Sequence, residues 1–229
     1  MQSLLLRSLM VLAALALPIL SSPGHGRAQV LGPDPYFPSQ AATLEALTLL
    51  PAPPQPGTAN QAANVQLLNI VSSTATPQMV AAAQWDANPS VFDFSQVLGP
   101  NFSAEKLPVT NTFFNKVIIN IENTNINLDK LYHSQGPVSP DSYPSAHTLL
   151  GFVDGVILAD MVPEKKDQLL TYGVQFGLNR LILGAHWPTD VTAGQMEAAL
   201  LLPALYASPQ FQSDFAQAKT EVRAQLGLK

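Results

Sequence analysis

From Thr110 to the C-terminus the chain is a succession of apolar runs at helical spacing, parted by proline- and glycine-bearing breaks, and nothing in it alternates with period two. Thr110 to Tyr132 is the longest run, with Phe113, Phe114, Val117, Ile118, Ile121, Ile126, Leu128 and Leu131 forming a broad apolar stripe. Its several asparagines have low helix propensity, so packing must hold it. A second helix is expected from His147 to Met161, stopping before Pro163, and a third from Glu164 to Leu183. Pro188-Thr-Asp190 opens a fourth, which reaches Ala207, and Gln210 to Leu226 is a final amphipathic helix. Upstream, Gln61 to Ser72 spaces Ala62, Val65, Leu68 and Ile70 at near-helical intervals, Thr76-Pro77 starts a short helix, and Asp93 to Val97 reads as a brief turn. The fold this implies is all-α: a single-domain helical bundle with short connections.

The N-terminus has another character. Arg7, the apolar run Val11 to Leu20 and the small residues up to Gly26-Arg27-Ala28 read as an export signal cleaved after Ala28. That run is shorter than the ~20 residues a membrane-spanning helix needs. No later segment qualifies, since Ala198 to Tyr206 is preceded by Glu197 and interrupted by Pro203, which suits a buried helix. The expected organisation is a signal peptide over 1–28, an extended proline-rich arm over 29–58 and a helical domain over 59–229, in a secreted or periplasmic protein. The arm, with Pro51-Ala-Pro-Pro-Gln-Pro56, has no sustained period; it either lies along the domain or a partner or forms a loose leader.

Bulk composition narrows the function. A net charge of -5 and a pI near 5.2 argue against nucleic acid as a partner. Zero cysteines exclude a thiol nucleophile, a thiolate zinc site and a redox role. Charged residues make up 12%, about half the usual share. The surface must then be rich in amide, hydroxyl and apolar groups, which leaves self-association open.

Chemistry-bearing residues gather at helix junctions. In Tyr143-Pro-Ser-Ala-His147 a proline fixes the chain just before a helix, so first-turn amides and the Ser145 hydroxyl can converge on an anion favoured by the helix dipole. In Asn179-Arg-Leu-Ile-Leu-Gly-Ala-His-Trp-Pro-Thr-Asp190, Arg180 ends one helix, His186 lies in the break and Asp190 opens the next. A carboxylate four residues on can bond one imidazole nitrogen, fix the tautomer and free the other nitrogen to attack. Arginine adds a planar fork for phosphate oxygens. Taken singly, each feature has a plainer reading: a helix cap, a solvated C-terminal charge, a surface ion pair worth about 0.3–0.5 kcal/mol. Their order and spacing point instead to phosphoryl transfer without a metal.

These residues resemble the phosphatidic acid phosphatase type 2 superfamily, and within it the soluble bacterial class A non-specific acid phosphatases. That superfamily carries Lys-x6-Arg-Pro, Pro-Ser-Gly-His and Ser-Arg-x5-His-x3-Asp. Here the second motif is Pro144-Ser145-Ala146-His147 and the third is Asn179-Arg180, His186 and Asp190 at the same spacing. The segments Leu49 to Thr58 and Gly184 to Gly194 add to the likeness. The resemblance implies that His186 attacks phosphorus, Asp190 orients it and His147 protonates the leaving oxygen and then activates water. Arg180, Ser145 and the Ala146 amide would hold the phosphate oxygens.

Three departures stand out: Ala146 for glycine, Asn179 for serine, and an eroded first motif. Anchored on Pro137, that motif has Gly136 where arginine belongs and Asp129 where lysine belongs, with Lys130 one position out of register. One residue on a helix is a ~100° rotation. Lys130 is retained as a phosphate-binding candidate through its long side chain, with His133 one turn along as a further positive charge. Loss of the arginine predicts slow turnover and a shifted substrate range.

The sequence thus points to an acid phosphatase acting on small phosphate monoesters through a phosphohistidine, with no cofactor and no metal. Two alternatives follow from the same residues. One is a vanadium-dependent haloperoxidase, whose site architecture is similar but whose chains are typically longer. The other is a catalytically degenerate binder of phosphate esters or lipid headgroups.

Overall fold

Helix starts are set locally. Thr58, Thr76, Ser145 and Ser208 occupy N-cap positions, and their hydroxyls accept from the amides of Gln61, Met79, Thr148 and Phe211. Proline opens the helices after Thr76, Leu107, Trp187 and Ser208, where its missing N–H would have had no partner. The computed structural model describes residues 36–37 and 47–229; the expected signal peptide and part of the arm lie outside the described residues. Among the described residues the order is α1 (Ala59–Thr74), α2 (Pro77–Trp85), α3 (Ser95–Leu98), α4 (Pro108–Tyr132), α5 (Ala146–Met161), α6 (Lys166–Ile182), α7 (Pro188–Ala207) and α8 (Pro209–Gln225). Short 3₁₀ turns occur at Val91–Phe94 and Pro163–Lys165. No strand occurs among the described residues, so the fold is all-α as the periodicity implied.

The differences from the sequence reading have identifiable causes. The brief turn expected over Asp93 to Val97 is two short helical segments, because Ser90 and Asp93 form a capping box that starts the 3₁₀ turn leading into α3. In α1 the near-helical apolar spacing does not mark the buried face. Val65 and Ile70 are 40% and 59% exposed, and only Leu68 of that set is buried. Asn64 is buried beside it because its Nδ2 donates to Thr189 Oγ1 at 2.9 Å and its Oδ1 accepts from Thr189 N–H at 3.3 Å. A polar anchor therefore docks α1 on the first turn of α7. In α4 the stripe from Phe113 to Leu128 is buried as expected except for Ile118, which is partly buried, but Leu131 in the last turn is exposed.

The core lies where α4, α5, α6, α7 and α8 meet, around Phe113, Val117, Ile121, Val153, Ile157, Phe176, Leu201, Leu205 and Phe211. Tyr36 and Phe37 of the arm close one side: both backbone amides donate to Asn120 Oδ1, at 3.1 and 3.2 Å, and the Tyr36 ring meets Phe211 edge-on. Farther along the arm, the Tyr132 and Tyr143 hydroxyls donate to the carbonyls of Leu50 and Pro51.

Close helix approaches position the polar junctions. A Cβ on Gly173 would lie 2.5 Å from the Gly151 carbonyl oxygen, so α5 and α6 are in backbone contact that only glycine permits there. A Cβ on Gly194 would lie 2.6 Å from the Ser145 carbonyl oxygen, and Ser145 N–H donates to the Asp190 carbonyl at 3.0 Å. The start of α5 is thereby clamped to the start of α7. His147 and His186, far apart in the chain, sit on these clamped ends.

Candidate active site

His186 lies in the break between α6 and α7 that Gly184 opens with φ 67, a left-handed turn suited to glycine. Its side chain is 15% exposed and that of Asp190 is 1% exposed. Asp190 is the third residue of α7, and its Oδ2 accepts from Trp187 N–H at 3.0 Å and from Ser142 Oγ–H at 2.9 Å. That same oxygen lies 3.5 Å from His186 Nδ1, whereas the carbonyl oxygen of Ser142 lies 3.0 Å from it. A carbonyl can only accept, so Nδ1 carries the proton and Nε2 is the basic nitrogen. The His186–Asp190 pair expected from the spacing is present, with Ser142 bonded to both members.

Ser145 is fully buried at the N-cap of α5. Its Oγ accepts from Thr148 N–H at 3.4 Å and from Thr148 Oγ1 at 3.0 Å, leaving its own hydroxyl proton as the group available to an anion. Ala146, the first residue of α5, has an amide without an intrahelical acceptor. His147 follows, half-buried, with Nε2 3.3 Å from the Ala87 carbonyl oxygen.

Arg180 is 5% exposed. Its Nη2 donates to the Ala83 carbonyl at 2.9 Å and pairs with Asp86, whose other oxygen accepts from Asn179 Nδ2 at 2.8 Å. Burial raises the Asp86 carboxyl, and the hydrogen bonds from Asn179 and Arg180 oppose that rise. Arg180 Nε is buried and has no acceptor among the described residues. The corner after α2 thus contacts both Arg180, through Asp86, and His147, through Ala87.

The eroded first motif resolves by helix face. Lys130 is exposed on the last turn of α4, and Asp129 is the residue electrostatically coupled to Asp190 and Asp141. Burial, first, and then those two carboxylates push Asp129 up to about 8. His133 does not join the site: it ends α4 in the left-handed region with φ 46 and pairs with Asp141 at 3.5 Å. Below, Asn125 Nδ2 donates to both the Pro144 carbonyl at 3.2 Å and Glu197 Oε2 at 3.0 Å. Burial pushes Glu197 up to about 8 as well.

Sequence reading missed Ser142, Asp86 and the Asn125–Glu197 pair. Ser142 lies directly before Tyr143-Pro-Ser-Ala-His147, a motif already singled out. Asp86 carried no signal, because its partner is 94 residues away. Among the described residues no group of histidines and carboxylates has the arrangement of a metal site. No described helix is long and apolar enough to cross a membrane.

The family model described as "PAP2 superfamily" matches residues 93–214, which include every candidate site residue above except Asp86 and Ala87 of the α2 corner. A non-specific acid phosphatase from Providencia stuartii is 26% identical over 211 residues, 82% of this chain and 85% of its own length. An acid phosphatase from Zymomonas mobilis and a non-specific acid phosphatase from Salmonella typhimurium are each 38% identical over 81 residues, 35% of this chain and 31% and 32% of theirs. The matched span, the helical bundle and the junction motifs agree, and the chain belongs to the PAP2 superfamily.

Proposed function

We propose that this protein is an exported acid phosphatase that passes the phosphoryl group of a small monoester to His186 Nε2 and then to water, without a metal or cofactor. Kinship to bacterial acid phosphatases over most of the chain supports phosphate monoester hydrolysis as its reaction. The observation that carries the mechanism is the acceptor set on His186 Nδ1, Ser142 O at 3.0 Å and Asp190 Oδ2 at 3.5 Å, which leaves Nε2 the nucleophile. As the Nε2–P bond forms, the bond from phosphorus to the ester oxygen breaks, and His147 gives that oxygen a proton. Water then attacks phosphorus, the Nε2–P bond breaks, and His147 takes the proton back.

Arg180 Nε, the Ser145 hydroxyl and the Ala146 amide are the donors for the non-bridging oxygens. A buried donor without a partner costs about 1–3 kcal/mol, so a phosphate oxygen at Arg180 Nε recovers energy the free protein lacks. Arg180 already shares its charge with Asp86, and Lys130 is exposed, so the site holds little excess positive charge and slow turnover is expected. The two histidines need opposite states, His147 protonated and His186 neutral, which gives a bell-shaped profile centred at acid pH.

The test is hydrolysis of p-nitrophenyl phosphate from pH 4 to 8 with EDTA present, beside His186→Ala. EDTA-resistant activity lost in the variant is expected. Phosphate binding by folded wild type without hydrolysis would replace this reading with a phosphate-ester binder, and bromide oxidation by peroxide after vanadate loading would replace it with a haloperoxidase. Export is checked by sequencing the N-terminus of protein from the periplasmic fraction, expected to begin at Gln29.

A further inference from the structure

We propose that Ser142 is the positioning residue of the His186–Asp190 pair, and that residue 136 is glycine so that the Ser142 hydroxyl can reach Asp190. This rests on the reading of His186 as nucleophile.

Ser142 is 2% exposed and meets the pair from both ends: its hydroxyl donates to Asp190 Oδ2 at 2.9 Å, and its carbonyl accepts from His186 Nδ1 at 3.0 Å. It lies 48 residues from Asp190, at the end of the loop that follows α4. That loop is tied to itself and to the site. Ser142 N–H donates to the Ser134 carbonyl at 3.1 Å, Gly136 N–H to the Ser139 carbonyl at 2.9 Å, and Trp187 Nε1 to the Gln135 carbonyl at 2.9 Å. His133 and Asp141, both with positive φ, pair across its mouth.

Gly136 packs directly behind the Ser142 side chain. A Cβ there would lie 2.5 Å from Ser142 Oγ, 2.6 Å from Ser142 Cβ and 2.8 Å from the Ser139 carbonyl. Ser142 Oγ cannot yield to such a side chain and still bond Asp190. Glycine at 136 is therefore coupled to the serine at 142, and an arginine at this position would displace the hydroxyl before it could add a useful charge.

The role has a titration signature. With Ser142 Oγ–H as donor, Asp190 Oδ2 is partly satisfied and stands off His186 Nδ1. Without that donor the carboxylate is more basic and can close on Nδ1, which stabilises the imidazolium and raises the pH at which His186 loses its proton. The groups electrostatically coupled to Asp190 are Asp129 of α4 and Tyr143 beside the loop. Asp141 and Glu197 couple through Asp129, Arg180 of α6 is paired with Asp86, and His147 of α5 meets the Ala87 carbonyl. The Ser142 hydroxyl bonds none of these groups; its partner is Asp190.

The experiment measures kcat and KM for p-nitrophenyl phosphate across pH 4 to 8 in wild type, Ser142→Ala, Ser142→Cys, Gly136→Ala, Gly136→Arg and the Gly136→Ala/Ser142→Ala double variant. Ser142→Cys keeps the shape of serine with only a weak donor, so it separates the lost bond from lost packing. Expected are a kcat lower by about tenfold to a hundredfold for both Ser142 variants, as for loss of a hydrogen bond to a charged group, with KM within about twofold. The acid limb of kcat/KM should move to higher pH. Gly136→Arg should lower activity with the same limb shift; in the Ser142→Ala background Gly136→Ala still crowds the Cβ of residue 142 and the Ser139 carbonyl, so it should lower stability there without moving the acid limb any further. An unmoved acid limb in both Ser142 variants, or higher activity in Gly136→Arg, would overturn the proposal. Titration of the His186 ring by NMR reads the same shift without turnover, so an inactive wild type would sink the phosphatase reading and still decide this one.

Discussion

Arg180 shows how a residue with a legible role acquires an unforeseen partner. Its position at the end of α6 marks it as a phosphate fork, yet the side chain is buried and paired with Asp86. A buried arginine that loses its paired carboxylate is left as an uncompensated charge, which costs about 3–5 kcal/mol. Asp86→Ala is therefore expected to lower stability by about that amount in chemical denaturation, with Asp86→Asn milder because it retains an acceptor. Lys130 is the opposite case. It is exposed, one helix step from the face where Asp129 couples to Asp190, so Lys130→Ala should leave hydrolysis within about twofold of wild type. A larger loss in that assay would return Lys130 to the phosphate site.

At the scale of elements, the seam between α5 and α6 decides how the polar junctions are spaced. His147 starts α5 and Arg180 ends α6, and backbone contact at Gly151 and Gly173 fixes the distance between the two helices. Gly173→Ala would press a methyl group on the Gly151 carbonyl, which a backbone cannot sidestep as a flexible side chain could. The expected cost is about 1–3 kcal/mol in thermal or chemical unfolding, with kcat reduced because the helices separate at the site. Helix boundaries in this region were legible in the sequence, since Ser145, Pro188 and Ser208 are local punctuation. The buried face of α1 was not, because that helix docks through the bond between Asn64 and Thr189 together with Leu68 alone of the spaced apolar set, which packs on Leu181 and Val191.

The molecule as a whole carries an unusual pH dependence. Asp129, Asp154 and Glu197 are all raised chiefly by burial, and both oxygens of Asp154 lack partners among the described residues. A carboxyl raised in the fold favours its neutral form there, so the stability it contributes is complete below its unfolded value and is lost as pH rises through its folded one. For Asp129 and Glu197 that window runs from their ordinary values, 3.8 and 4.5, to about 8. The melting temperature should therefore be higher at pH 5 than at pH 8. Asp154→Asn, which cannot ionise, should flatten that decline by an amount on the order of 1–3 kcal/mol at pH 8. A melting curve unchanged between those pH values in wild type would show that these groups are not buried as described. Stability on the acid side suits an enzyme expected to work there.

The sequence by itself determined the helical class, the helix starts and the spacing of His147, Arg180, His186 and Asp190, because caps, prolines and periodicity act within a turn or two of chain. It also put Asp129 at the position where the family carries lysine, with Lys130 one residue out of register. Only the tertiary structure decided that Asp86 neutralises Arg180 and that Ser142 bridges His186 and Asp190, with Gly136 making room for it. Those contacts join residues 94 and 48 positions apart across packed helices. Which buried carboxylate meets which donor depends on how helix faces pack, and no local pattern encodes that.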